Sequence, residues 1–135
     1  MGPIGSKAKG GPIGLMMHNS HAFTPEGVPL GVVSAEAWAR DPEALGTQRP
    51  LHERESRKWL DAYGELKKLA PQIPDTTLVS IGDREADLFE LFALARDPDS
   101  PRILVRAHKG RNRRVITDSA RSLTLPEAIS WIAIQ

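Results

Sequence analysis

Residues 77–95 pass directly from a strand pattern into a helix pattern, with an acidic cluster at the junction. The first part is short and rich in apolar and β-branched residues, which is typical of a buried strand. Apolar residues then recur at helical spacing at Leu88, Leu91, Phe92 and Ala95. This order predicts an α/β fold in which Asp83 stands at the carboxyl end of a strand. Ligands and metals collect at that edge of open α/β sheets.

Asp83 also has a purely structural explanation. An Asp that precedes a helix accepts hydrogen bonds from the free N–H groups of the first turn, which stabilises the fold by about 0.5–2 kcal/mol. Glu85 and Asp87 favour the helix dipole in the same turn, and Arg84 is placed to pair with either of them or with a phosphate. Position alone therefore leaves two roles open for Asp83, a helix cap and a ligand-binding carboxylate.

Strand and helix patterns alternate along the rest of the chain. The predicted elements are a hairpin of strands over 15–23 and 28–34, an amphipathic helix over 51–69, a strand over 103–107 and a helix over 124–135. We divide the chain into an irregular segment over 1–11, one α/β domain over 12–121, and a further segment or helix over 122–135.

His18 and His21 fall on opposite faces of the first hairpin strand, which predicts packing or surface roles and no shared metal ion. Trp38 and Trp131 are predicted to pack.

Composition limits the class of protein. The chain has 135 residues, of which 40% are hydrophobic and 26% charged, as expected for one globular domain. It has no apolar run of membrane-spanning length and no signal-peptide pattern, so we expect a cytoplasmic protein without a membrane partner. Cysteine is absent, which excludes disulfides and thiolate metal sites.

A basic stretch runs from Arg102 to Arg121, where seven Lys or Arg residues face one acid, Asp118. Its centre carries Lys109, Arg111, Arg113 and Arg114. Arginine offers a planar fork of donors that suits phosphate oxygens, and such contacts bind nucleic acid without reading its sequence. The charge pattern leaves two readings open, a DNA-binding loop and a solvated basic loop.

The string Gly82-Asp83-Arg84-Glu85-Ala86-Asp87 resembles the D-R-E-A-D signature of bacterial insertion-sequence cut-and-paste DNA transposases of the DDE class. Upstream, Glu55-Ser56-Arg57-Lys58-Trp59-Leu60 is similar to the K-E-S-x-K-W segment of that family. The stretches 14–23, 28–34 and 102–109 resemble family strands in the same order. The resemblance covers roughly residues 10–114, which is most of the chain.

The resemblance implies an RNase H-like mixed sheet flanked by helices, with Asp83 as the second catalytic and metal-binding aspartate. In the intact enzyme, Mg²⁺ or Mn²⁺ would support the cleavage and joining of DNA at transposon ends, with two ions stabilising the attacking and leaving oxygens. The resemblance also implies that Glu55, Lys58 and Trp59 give structural support beside the active-site sheet. The basic residues Arg84, Lys109, Arg111, Arg113 and Arg114 become DNA contacts.

Two parts of the family pattern are missing. The first catalytic Asp belongs just before residue 10, yet residues 1–10 contain no acid. The catalytic Glu belongs to a Y-x-x-R-x-x-x-E-x-x-x-x-x-x-K pattern that the sequence lacks, and Glu127 does not carry it. We therefore expect a central fragment without the first strand and the final catalytic helix, inactive as an isolated chain and with weak metal binding or none.

Two alternatives accompany this interpretation. The first is a non-catalytic remnant or inhibitor that binds DNA or self-associates with full-length transposase through the same surfaces. The second is an unrelated α/β hydrolase with Asp83 as its nucleophile, which fits less well because no partner acid, Ser or His lies at a convincing spacing.

Overall fold

The computed structural model describes residues 1–4, 11–44, 56–108, 114–116 and 122–124. In chain order the strands and helices are β1 (Gly2–Pro3), β2 (Ile13–Gly14), β3 (Met16–Phe23), β4 (Pro29–Trp38), α1 (Arg57–Leu69), β5 (Val79–Gly82), α2 (Phe89–Leu94), β6 (Arg102–Val105), β7 (Arg114–Ile116) and β8 (Ser122–Thr124). Within these ranges the strands form four two-stranded sheets, β1–β2, β3–β4, β5–β6 and β7–β8. The mixed α/β class predicted from the sequence is confirmed.

The long antiparallel hairpin β3–β4 forms where the sequence predicted it. Its pairing runs from Met16 opposite Trp38 to Phe23 opposite Pro29, with two register shifts on the way. At the turn, the Gly27 N–H donates to the Thr24 carbonyl at 2.9 Å, and Gly27 has a φ of 87°, a backbone conformation that glycine adopts without strain. The second strand continues four residues beyond the predicted end at residue 34.

Helix α1 carries the predicted amphipathic pattern. It begins at Arg57 and ends at Leu69, and a 3₁₀ turn over Ala70–Gln72 follows it. Pro71 lies in that turn, where a missing N–H is tolerated. Its exposed side pairs Arg57 with Asp61 at 3.1 Å, a contact worth a few tenths of a kcal/mol.

A strand–helix–strand unit follows α1. Strands β5 and β6 are parallel, with Val79 opposite Arg102 and Gly82 opposite Val105. Between them the chain forms a 3₁₀ turn over Arg84–Ala86 and then the short helix α2. The sequence predicted this order, but it predicted one helix where the chain forms a 3₁₀ turn and a separate α-helix.

The core lies between α1, α2 and the β5–β6 sheet. Its buried members are Tyr63, Ala86, Leu88 and Leu91, and Trp59, Leu60, Ala95, Ile103 and Val105 pack against them. Tyr63 is 1% exposed, and its hydroxyl donates to the Pro101 carbonyl at 2.6 Å. Burial raises the pKa of Tyr63, since the charged phenolate is disfavoured there. This hydrogen bond fixes α1 against the start of β6.

Several sequence predictions fall on other parts of the chain. Gly2–Pro3 forms β1, although the first eleven residues were expected to be irregular. Thr124 ends β8, and the helix predicted beyond it lies outside the described residues. The division into 1–11, 12–121 and 122–135 stays a prediction. In the described ranges no helix is both long and apolar enough to cross a bilayer.

Replacing Tyr63 with Phe is expected to lower the free energy of unfolding by about 1–3 kcal/mol, because the buried Pro101 carbonyl loses its donor. Urea denaturation followed by circular dichroism measures the change. Lys68→Ala, which removes an exposed ion pair with Glu65, serves as control and should cost at most about 1 kcal/mol. Equal losses in the two variants would contradict the assigned role of the hydroxyl.

Candidate functional site

Asp83 lies directly after β5 and begins the 3₁₀ turn. Its backbone is extended, with φ −76° and ψ −170°, and its Oδ1 accepts a hydrogen bond from the Glu85 N–H at 2.8 Å. The capping role is thus confirmed, although the capped element is the 3₁₀ turn and not α2. Asp83 is exposed, so its carboxylate is open to solvent. The two roles that the sequence left open are compatible in this geometry.

The other two acids of segment 82–87 are engaged in contacts with distant parts of the chain. Asp87 is 2% exposed, and its Oδ2 accepts a hydrogen bond from the His108 N–H at 2.8 Å. Glu85 forms an ion pair with Lys58 of α1 at 2.9 Å. We expected both acids in the first turn of a helix, but α2 begins later, at Phe89. Their role is to join β5, β6 and α1.

Lys58 lies in an aromatic environment. Its side chain is only 14% exposed, and its Nζ lies 5.9 Å from the ring centroids of both Trp38 and Trp59. Aromatic faces attract cations at such distances. The structural role predicted for Lys58 and Trp59 stays a prediction, and Glu55 lies outside the described residues. Lys58 pairs with Glu85, a partner that the helix spacing did not predict.

Trp59 packs against the strand that leads to Asp83. A Cβ added at Gly82 would lie 3.3 Å from Cζ3 of Trp59 and closer still to the Cβ of Ala86. Both contacts are tighter than ordinary packing allows. Glycine therefore permits α1 and the 3₁₀ turn to approach β5 directly before Asp83.

His18 of β3 completes this group, and sequence reasoning missed it. Its ring meets Trp59 edge-on, with ring centroids 4.7 Å apart. The pKa of His18 is lowered, chiefly because burial disfavours the charged ring and then because Lys58 is positively charged; Glu36, Glu85 and Asp83 act in the opposite direction. Strand alternation did place His18 and His21 on opposite faces. Which of the two histidines lies against Trp59 depends on how the hairpin packs on α1.

Arg84 is exposed on the 3₁₀ turn beside Asp83. Of the other predicted DNA contacts, Arg114 begins β7, while Lys109, Arg111 and Arg113 lie outside the described residues. The described ranges contain no group of three or more His, Asp or Glu side chains placed to hold a metal ion. The site consists of one exposed carboxylate held in a fixed orientation, together with an ion pair and an aromatic group behind it.

Comparison with known proteins found no relative. No protein-family model matches the sequence, and no curated protein matches it significantly.

Alanine substitutions at two glycines distinguish the effect of close packing at Gly82 from the effect of helix propensity at Gly64. Gly82→Ala should destabilise the fold by about 1–3 kcal/mol, because its Cβ overpacks against Ala86 and Trp59. Gly64→Ala, inside α1 with open space around its Cα, should stabilise by about 0.5–1 kcal/mol. Thermal and urea unfolding measure both changes. A neutral or stabilising Gly82→Ala would refute the close approach.

His18 should make stability depend on pH. Its pKa in the folded protein lies below the ordinary value of 6.5, so below that pH the unfolded chain takes up a proton first and stability falls as the pH drops. Urea unfolding between about pH 7.5 and 5.5 should show a shallower decline in His18→Gln than in the parent chain. Met17→Gln, which alters the exposed face of the same strand and adds no titrating group, is the control and should leave the slope unchanged. An unchanged slope in His18→Gln would refute the assignment.

Proposed function

We propose that this chain is the central part of the catalytic domain of a DDE-class DNA transposase with an RNase H-like fold. In this proposal Asp83 supplies one metal-binding carboxylate for DNA cleavage and joining. The observation that carries the proposal is the direct contact between the two motifs that resemble the family. Lys58 of segment 55–60 pairs with Glu85 of segment 82–87, and Trp59 packs on Gly82.

Two of the other three family-like stretches meet the same place. His108, from the stretch 102–109, donates its N–H to Asp87, and His18, from the stretch 14–23, contacts Trp59. Motifs that resembled the family only by chance would not be expected to lie together in the folded chain. Four such stretches around the carboxyl end of β5 therefore support a common origin in one active-site region.

The strand directions also support an RNase H-like sheet. An antiparallel hairpin comes first, then a helix, and then two parallel strands joined through α2. This order combines both strand directions in the way that a mixed sheet requires. We infer that the hairpin and the parallel pair are two parts of one such sheet.

The carboxylate of Asp83 suits a hard cation such as Mg²⁺, which prefers oxygen ligands and retains part of its water shell. Glu85 and Asp87 already have partners in Lys58 and the His108 backbone. Of the residues that the structure describes, Asp83 therefore offers the one open carboxylate at this place, and DNA phosphates with carboxylates from elsewhere in the intact enzyme would supply the rest. When bound, two such ions stabilise the attacking and leaving oxygens of phosphodiester cleavage.

The residues around Asp83 have supporting roles in this proposal. The Glu85 N–H donates to Oδ1 and thereby orients the Asp83 carboxylate. Lys58 holds Glu85 and thereby the turn that carries this N–H. Arg84 is exposed on the same turn, where its guanidinium is available to phosphate oxygens.

The centre of the basic stretch, with Lys109, Arg111, Arg113 and Arg114, follows His108 in the sequence, and the His108 N–H donates to Asp87. We propose that these cations contact the backbone of the DNA bound at Asp83, which would make binding weaken as salt rises.

Metal binding tests this function. The purified chain should bind Mn²⁺ weakly in titration calorimetry when duplex DNA supplies phosphate ligands, and Asp83→Asn should weaken that binding further, by at least about tenfold. Asp61→Asn, which alters an exposed carboxylate on α1, is the matched control and should bind as the parent does. Circular dichroism establishes that each variant is folded.

Two results would count against catalytic ancestry at Asp83. Equal Mn²⁺ affinity in the parent and in Asp83→Asn would exclude it as a ligand. If DNA binding persisted in that case, the observation would favour the alternative, a non-catalytic chain that binds DNA or full-length transposase.

A further inference from the structure

Arg106 lies beside Asp83 at the carboxyl end of the parallel pair. The register of β5 and β6 ends with Gly82 opposite Val105, and the Arg106 N–H then donates to the Gly82 carbonyl at 3.1 Å. This bond continues the ladder by one step, so Asp83 and Arg106 are the next neighbours across the two strands. Neighbouring strands lie about 4.8 Å apart, which sets the separation of the two backbones here.

Both side chains belong to the outer face of the parallel pair, away from α1. A Cβ at Gly82 would lie 3.3 Å from Trp59, so Gly82 belongs to the inner face and the extended Asp83 that follows it belongs to the outer face. Val105 packs against the core, which places Arg106 on the outer face by the same alternation. Asp83 and Arg106 are both exposed.

The acid and the base are neighbours without being partners. In the described ranges no ion pair joins Asp83 to Arg106, and the carboxylate accepts from the Glu85 N–H instead. The other two acids of segment 82–87 are held by Lys58 and by the His108 N–H. Among the described residues, the outer edge after β5 and β6 therefore offers one carboxylate and one guanidinium to a ligand.

A phosphodiester that binds through a divalent ion can use both groups. A carboxylate alone repels a phosphate, whereas a hard cation held by the carboxylate removes that repulsion and binds a phosphate oxygen. The phosphate has a second non-bridging oxygen, which suits the planar fork of donors of a guanidinium. An acid and an arginine about one strand spacing apart therefore match a metal-bound phosphate better than a metal or an anion alone.

We propose that Arg106 binds a non-bridging oxygen of the phosphodiester whose metal ion Asp83 holds. This inference rests on the proposed function and adds a phosphate-binding residue outside the run at 109–114. The ladder bond to Gly82 fixes the backbone of Arg106, so its guanidinium extends from a defined position beside the carboxylate.

Two other exposed arginines do not share this position. Arg84 begins the 3₁₀ turn, so the strand alternation that places Asp83 and Arg106 on one face does not extend to it. Arg102 is on the same strand and the same face as Arg106, but it lies four residues earlier, about 13 Å away along β6. Arg102 is therefore the matched control, with the same side chain far from Asp83.

The affinity for DNA tests the contact. The full chain is titrated into a short fluorescent duplex in Mn²⁺ buffer at several salt concentrations, and anisotropy gives the affinity. Arg106→Gln should bind at least about fivefold more weakly, with a slope of log affinity against log salt that is smaller by about one. Arg106→Lys keeps the charge but not the fork, so its affinity should fall between the two. Arg102→Gln should bind as the parent does.

A double-mutant cycle locates the contact at Asp83. If the ion and the guanidinium hold one phosphate, Asp83→Asn should cost at least about threefold less in DNA affinity when Arg106 is already replaced by Gln. The same cycle with Arg102→Gln should be additive. Circular dichroism establishes that every variant is folded.

Two results would overturn the proposal. The first is equal DNA affinity in Arg106→Gln and Arg102→Gln, and the second is additivity between Asp83→Asn and Arg106→Gln. Mn²⁺ calorimetry on Asp83→Asn judges the proposed function without any change at Arg106. Weakened Mn²⁺ binding in Asp83→Asn together with parental DNA affinity in Arg106→Gln would remove this contact and leave the transposase function standing.

Discussion

Trp59 is the contact on which the described arrangement depends, because it joins two sheets that share no backbone pairing. Its indole meets His18 of the hairpin on one side and Gly82 of the parallel pair on another. Without a strand ladder between the sheets, their relative placement rests on side-chain packing against α1. An aromatic residue suits this task, since it buries a large rigid area at a low cost in conformational entropy. The adjacent Lys58 forms an ion pair with Glu85 and so fixes the turn next to this contact.

Lys58 and Glu85 form an unequal ion pair. Lys58 is 14% exposed and Glu85 is 62% exposed, so the cation has lost most of its water while the carboxylate has kept much of it. Exposed ion pairs are worth about 0–1 kcal/mol, and a buried cation loses solvation that its partner must replace. The two indole faces provide part of that replacement. The pair therefore contributes more to fixing the turn after β5 than to overall stability.

The sequence was sufficient where local patterns decide the structure. The hairpin, the amphipathic helix and the strand before Asp83 followed from apolar spacing and from turn residues such as Gly27. The pairing of Lys58 with Glu85 and of Asp87 with the His108 backbone was not predictable, because both contacts depend on tertiary docking. The same reason explains why His18 looked like an ordinary strand residue. The sequence did not predict the 3₁₀ turn, because a capping residue followed by apolar residues at helical spacing is also the pattern of one continuous helix.

The two register shifts in the hairpin have a consequence for how its length can vary. Opposite β3, strand β4 contains two extra residues, Val33 and Leu30, which have no partner of their own in the register. Because of the first of these bulges, Ser34 and Val33 are both partly buried although they are neighbours. Deleting Val33 would restore simple alternation and turn the remaining tip residues to the opposite face. Insertions and deletions are therefore tolerable in the turn at 24–28 but not in β4, so related chains of different length should differ at the hairpin tip.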